Sequence, residues 1–269
     1  MNATSPVSTI LSIARRPALL GPCVLLALSG AAVADSELPT AQALLAAHIE
    51  AVGGEEILNR QFESTTTGRF VMPAAGLEGT VKVFSRMPVE RAVSIELPNI
   101  GKIQSGYKDR SAWSVDPFMG PRLVTGTELD IQIESNEPGA LFRSEEFVES
   151  MRTTEIAEYE GESCYKVSVK WKTGRESTDC YSTDSGYLIA TEFTVESPMG
   201  EVETTTVFTD YTTFESDGVE FKLPATTVVT TMGQAQQLLI DSIELGAPSD
   251  ENFALPPAIK TLKEDAQAD

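Results

Sequence analysis

Hydrophobic and polar positions along the chain follow two periods. From Thr40 to Val52 the apolar residues Leu44, Leu45, Ile49 and Val52 recur at helical spacing with His48 on the same face, and Gly53-Gly54 ends the pattern. A short second helical turn is expected from Glu55 to Asn59. Beyond it the period drops to two. Enrichment in Thr, Val, Phe and Tyr predicts strands over 62–72, 79–86, 91–97, 101–108, 111–116, 153–159, 163–171, 176–183, 187–196, 201–213, 219–231 and 235–245. Turn signals separate them, among them Ala74-Ala75-Gly76, Pro98-Asn99, Asp217-Gly218 and Met232-Gly233. Connections this short make hairpins, hence an antiparallel meander. Residues 117–151 interrupt the run. They carry no strand pattern, and short helices are expected at Thr127–Glu134 and Ala140–Met151, around Pro138-Gly139. So many twisted strands curl into a barrel or part of one. The helices then plug or cover its concave face, and a gap left there is apolar and suited to a ligand.

The ends change the picture. Arg15 and Arg16, an apolar run from Ala18 to Leu28 and the small residues Ala32-Val33-Ala34 read as a signal peptide over 1–34. Cys23 follows Pro22 inside that run and does not read as a lipid-attachment box. The expected mature chain begins at residue 35. It carries one domain over 35–257 and a polar tail over 258–269, with no further segment apolar enough to span a bilayer. The net charge of −20 argues against nucleic-acid partners and against docking on anionic membranes. Cleavage leaves two cysteines, Cys164 and Cys180, in an oxidising compartment. Tyr165, Val167, Val169 and Trp171 alternate with Lys166, Ser168 and Lys170, Thr173-Gly174 turns the chain, and the strand returning from Glu176 brings Cys180 roughly opposite Cys164. A structural disulfide is expected.

Catalytic constellations are scarce. His48 is the single histidine and lies on the apolar face of a helix, where packing explains it better than base catalysis. One histidine and two bridged cysteines make no zinc site, and no cofactor or metal is expected. Phosphate-binding glycine loops and the nucleophile elbow are missing from the sequence. Carboxylates are abundant enough to leave a carboxylate-based hydrolase as a weak alternative. What remains is apolar material: Phe70, Val81, Val83, Ile95, Trp113, Val115, Phe118, Met119, Leu123, Phe142 and Phe147. Most of it is core. Phe118 and Met119 stand out because they occupy a Pro/Gly-rich loop just ahead of the helical insertion, and so are expected where sheet meets lid.

Several stretches resemble the outer-membrane lipoprotein-carrier (LolA-like) superfamily and the related lipoprotein-sorting proteins. Gly79-Thr80-Val81-Lys82-Val83-Phe84-Ser85-Arg86-Met87-Pro88 is similar to that family's strand ending in Arg and Pro. The run from Lys108 through Trp113 to Asp116-Pro117 is similar to its Asp-Gly hairpin with Trp and Asp-Pro. Gly161 to Val167, Asp217-Gly218-Val219 with Leu223-Pro224, and Phe253-Ala254-Leu255-Pro256 resemble its C-terminal half. The resemblance implies a mainly β fold: a curled antiparallel sheet forming an unclosed half β-barrel, with the N-terminal helix and the helical insertion covering the concave face. It also implies an apolar cavity for acyl chains, with Arg86 at the position that ties lid to barrel. An acyl chain in water costs about 0.8 kcal/mol per CH₂, so a chain of about sixteen carbons approaches 12 kcal/mol. An enclosed groove offsets that without catalysis. The expected function is a periplasmic, non-enzymatic carrier or chaperone of lipid or lipoprotein acyl chains. The alternative from another class is a cell-envelope sensor or interaction module that binds a protein partner.

Overall fold

Thr40 caps the first helix, α1 (Ala41–Ala51), its hydroxyl accepting the Ala43 amide at 3.2 Å. Gly53 and Gly54, both at positive φ, turn the chain into α2 (Glu55–Gln61). The computed structural model describes residues 38–197 and 200–268; the expected signal peptide lies outside the described residues. Six strands then step outward as consecutive hairpins: β1 (Glu63–Met72), β2 (Leu77–Arg86), β3 (Glu90–Leu97), β4 (Gly101–Lys108), β5 (Ser111–Asp116) and β6 (Gly120–Val124). After α3 (Gly126–Ser135) and α4 (Pro138–Leu141) come seven more: β7 (Val148–Tyr159), β8 (Glu162–Trp171), β9 (Glu176–Ser182), β10 (Leu188–Ser197), β11 (Gly200–Ser216), β12 (Val219–Thr231) and β13 (Gln234–Leu245). A 3₁₀ turn at Asp250–Phe253 and α5 (Pro257–Ala268) follow.

Among the described residues these strands make one antiparallel sheet of 13, in the order β6-β5-β4-β3-β2-β1-β13-β12-β11-β10-β9-β8-β7. It is unclosed, with edges at β6 and β7: a half-barrel, mainly β as expected. This order explains the lid. The chain leaves the sheet at one edge and re-enters at the other, so the α3–α4 connection has to travel across the sheet. It does so on the concave face, where Leu129 and Ile133 of α3 pack on Tyr107, Ala112 and Val124. Ala41 and Leu44 of α1 and Ala140 of α4 pack on Val148, Val167, Val169 and Trp171.

The structure corrects three details and bears out the expected disulfide. Residues 120–124, expected to lack strand pattern, form β6; Pro121 is tolerated there because an edge strand has amides that need no ladder partner. The expected helix at 140–151 is one short turn, and β7 starts at Val148, its alternation disguised by irregularities after Val148 and Thr153. The polar segment 258–269 is helical to Ala268, with Ile259 fully buried. The disulfide Cys164–Cys180 is present, with Cα atoms 5.6 Å apart. It joins β8 to β9 diagonally, since Cys164 pairs with Ser182 and Cys180 with Lys166.

Candidate ligand-binding groove

Strand register sorts side chains onto two faces, because neighbours along a strand point to opposite sides. One cross-sheet row on the concave face reads Ser64, Ser85, Arg91, Tyr107, Ala112, Val124. The next reads Thr66, Val83, Val93, Ser105, Ser114, Arg122, and the third Gly68, Val81, Ile95, Ile103. Phe70 and Leu97 lie beyond, with Met72, Leu77, Ile100 and Leu238 packed around them. Polarity therefore changes along β3, from an arginine at one end to a wholly apolar patch at the other. Phe70, Val81, Val83 and Leu97 are buried, whereas Val93, Ile95, Ile103 and Leu238 are only partly so. This stretch forms an apolar floor that the helices do not seal.

The helical lid is fastened elsewhere, over β7–β10. Asp179, with no exposed surface, accepts from Arg143 Nη2 at 2.9 Å, Thr191 Oγ1 at 3.1 Å and Tyr181 Oη at 3.3 Å. Glu134, at the end of α3, accepts from Arg175 and from Thr173 Oγ1 at 3.1 Å. The guanidinium groups of Arg143 and Arg175 stand 4.8 and 4.2 Å from the Trp171 ring centre. Burial and the Asp179 charge push the Tyr181 phenol well above its ordinary value, so it stays a donor. His48 joins α1 to the sheet: its Nδ1 accepts the Leu188 amide at 3.1 Å. Burial, helped by the Arg143 charge, pulls its pKa down to about 4. The ring is a neutral acceptor locked into packing.

The residues singled out from the sequence divide among several places. Phe70, Val81, Val83 and Ile95 share the concave face. Phe142 and Phe147 belong to the lid, Phe142 edge-on to Phe62 at 6.0 Å and Phe147 against the core beside Trp171. Trp113, Val115 and Leu123 face the other way, in the outer row of Phe84, Ala92 and Gly106 or next to it. Trp113 lies so close over Gly106 that a Cβ there would sit 2.5 Å from its ring. Arg86 is likewise on the outer face, where it bonds Glu90 Oε1 at 2.7 Å, Asp250 Oδ1 at 2.9 Å and the Pro248 carbonyl, and covers the Phe253 ring at 4.8 Å. It ties the C-terminal segment to the sheet, not the concave-face lid, since Arg86 alternates with Ser85 and shares the face of Phe84. Phe118 and Met119, expected between sheet and lid, form the tip of the β5–β6 hairpin at 70% and 78% exposure, closed by Asp116 Oδ1 accepting both their amides. Arg91 was overlooked. Its signal is the alternation Arg91-Val93-Ile95-Leu97, which sets an arginine in phase with the apolar face.

No protein-family model and no curated protein matches the sequence. Solved structures do match. A LolA superfamily protein from Nitrosomonas europaea is 16% identical at a TM-score of 0.51, over 81% of this chain and 99% of that one. A putative outer membrane lipoprotein-sorting protein domain from Vibrio parahaemolyticus is 10% identical at 0.50, over 79% and 95%. A DUF1329 family protein from Desulfovibrio piger is 12% identical at 0.52, over 79% and 96%. Among the described residues no helix is long and apolar enough to cross a membrane. The curled sheet, the edge-to-edge crossing and these likenesses agree: the chain has the fold of the LolA superfamily.

Proposed function

We propose that the protein is a non-enzymatic carrier or chaperone of the periplasm that holds lipid or lipoprotein acyl chains on the concave face of its half-barrel. The observation that carries this reading is the partly open apolar floor made by Val93, Ile95, Ile103 and Leu238 over Phe70, Val81 and Leu97. Covering such a surface with an acyl chain removes apolar area from water on both partners, at about 25 cal/mol per Å². The floor offers contact without directional bonds, which suits cargo with interchangeable hydrocarbon tails. The neutral, packed state of His48 supports a role in structure and not in proton transfer. The other reading, an interaction module pairing through an open strand edge, has less support. The long edge strand β7 carries two register breaks and exposes Glu149, Glu155 and Glu158, features that discourage strand addition.

Titration with an uncharged fluorescent acyl probe tests the carrier reading. Wild type is expected to bind it saturably. Ile95→Lys, which sets a charge on the floor, is expected to weaken binding tenfold or more with an unchanged far-UV spectrum. Absence of saturable binding by folded wild-type protein refutes the reading. Native mass spectrometry of gently purified protein is expected to show a co-purifying lipid.

A further inference from the structure

Among the described residues, Arg91 is the one half-buried arginine without an acidic partner; Arg86, Arg122, Arg143 and Arg175 each have one. It lies on the concave face, in phase with Val93 and Ile95. Among the described residues it makes no hydrogen bond and no ion pair, and its Nε is sealed from solvent without a partner. Desolvation alone acts on its guanidinium, lowering its pKa. A half-buried cation without a partner costs stability unless something answers it. Arg91 lines a cavity of about 260 Å³ between the sheet and α3. The other ionic groups on its wall, Arg122 and Glu128, neutralise each other through two hydrogen bonds of 2.8 and 2.6 Å. The ionic side chains of the wall therefore leave one positive charge over, inside a chain whose net charge is −20. Asn136, also on the wall, has a buried Oδ1 without a partner, so the lining is polar by construction and not merely underpacked. Val93 is common to this wall and to the apolar floor. From Arg91 to Leu97 runs six residues of strand, roughly 20 Å.

We infer that the cavity beneath α3 is the headgroup subsite of the groove and takes an oxyanion, carboxylate or phosphate, against Arg91, while the hydrocarbon tail lies along β3 toward Phe70 and Leu97. The inference rests on the carrier reading and deepens it: the cargo is an anionic amphiphile. The acidic exterior repels such a headgroup, so the interior cation selects for insertion over surface adsorption. A guanidinium suits this task, since its planar donors match two oxygens of one anion.

The test compares palmitate with hexadecanol, which share a tail and differ in charge, at low and high salt on wild type, Arg91→Met and Arg91→Lys. Wild type is expected to prefer palmitate by at least tenfold, Arg91→Met to bind the two alike, and Arg91→Lys to keep part of the preference. Because Arg91→Met removes an unanswered charge at similar volume, its ligand-free melting temperature is expected to equal or exceed wild type, which a structural arginine would not allow. Equal affinities of wild type for both amphiphiles overturn the subsite and leave the carrier reading standing. If neither amphiphile binds, but inorganic phosphate raises the melting temperature of wild type and not of Arg91→Met, the oxyanion site stands and the carrier reading falls. If no probe separates wild type from Arg91→Met, the subsite is refuted.

Discussion

Acidification should weaken this fold through His48, and the size of the effect can be worked out. In an unfolded chain the imidazole titrates at its ordinary 6.5, and in the folded protein at about 4. The lowered value means the fold favours the neutral ring. Its contribution is therefore complete above pH 6.5 and is lost as pH falls through that value toward 4. Tenfold in proton affinity is worth about 1.4 kcal/mol, so the full interval amounts to roughly 3 kcal/mol and the portion lost by pH 4.5 to about 2.5 kcal/mol. Residual solvent access at the helix face trims this. His48→Asn separates the group from the carboxylates that titrate nearby in pH. Its Oδ1 falls near the place of Nδ1 and keeps an acceptor for the Leu188 amide, yet it takes up no proton. Urea unfolding of both proteins between pH 7 and pH 4.5 gives the comparison. At pH 7 the variant should be less stable by about 1 kcal/mol, for the lost ring contact with Tyr181 at 5.8 Å. By pH 4.5 the gap should close or reverse, and acyl-probe binding at pH 7 should be unaffected. A gap that stays constant with pH would show that the ring titrates normally, contradicting the packed, neutral assignment.

Two further outcomes follow from the buried chemistry. Replacing Cys164 and Cys180 together by serine removes a link across 16 residues of sequence and should cost about 3 kcal/mol, read as a lower urea midpoint that added reductant no longer changes; an unshifted midpoint would contradict it. Asp179→Ala strips Arg143 of its carboxylate inside the lid and should cost roughly 3–5 kcal/mol, with raised protease sensitivity of the α3–α4 connection; a loss under 1 kcal/mol would show that the lid is held by packing alone.

Much of the sheet is visible in the sequence, because twelve strands keep a period of two and their turns carry Gly, Pro, Asn or Asp. The two departures have local reasons: β6, absent from the sequence reading, is five residues long and contains Pro121, and β7, expected over 153–159, extends back to Val148 through the stretch where its register shifts. Helix α5 hides because only its first turns bury an apolar side chain, Ile259, within a polar sequence. The site was harder to place than the fold. Alternation says that Trp113 and Val115 share a face, but in a sheet covered on both sides it does not say which. Inside and outside become distinct only once the crossing of α3 and the docking of the Pro248–Phe253 segment at Arg86 are known. The lid role expected of Arg86 came from the family resemblance, and the structure sets that side chain on the outer face. Arg91, five residues on, shares the face of Val93, and an arginine in phase with an apolar row is a signal that the sequence itself carries.

The order of strands also bears on how the chain reaches this state. Every neighbouring pair in the sheet is a sequence-local hairpin except one, β1 with β13, where Thr67 meets Ser242 across 175 residues. Local hairpins close in microseconds, while joining distant segments first requires the intervening chain to be ordered. Each meander can therefore zip independently, and the seam between them sets the pace. Its closure brings together the two halves of the apolar floor, Phe70 on one strand and Leu238 on the other, which until then face water. Pulse-labelled hydrogen exchange should find amides of β8–β9 protected before those of β1–β13, and simultaneous protection would exclude this order. In this topology the apolar floor is completed last, so the interval in which an unfinished chain is most exposed to aggregation ends as the two halves of that floor meet.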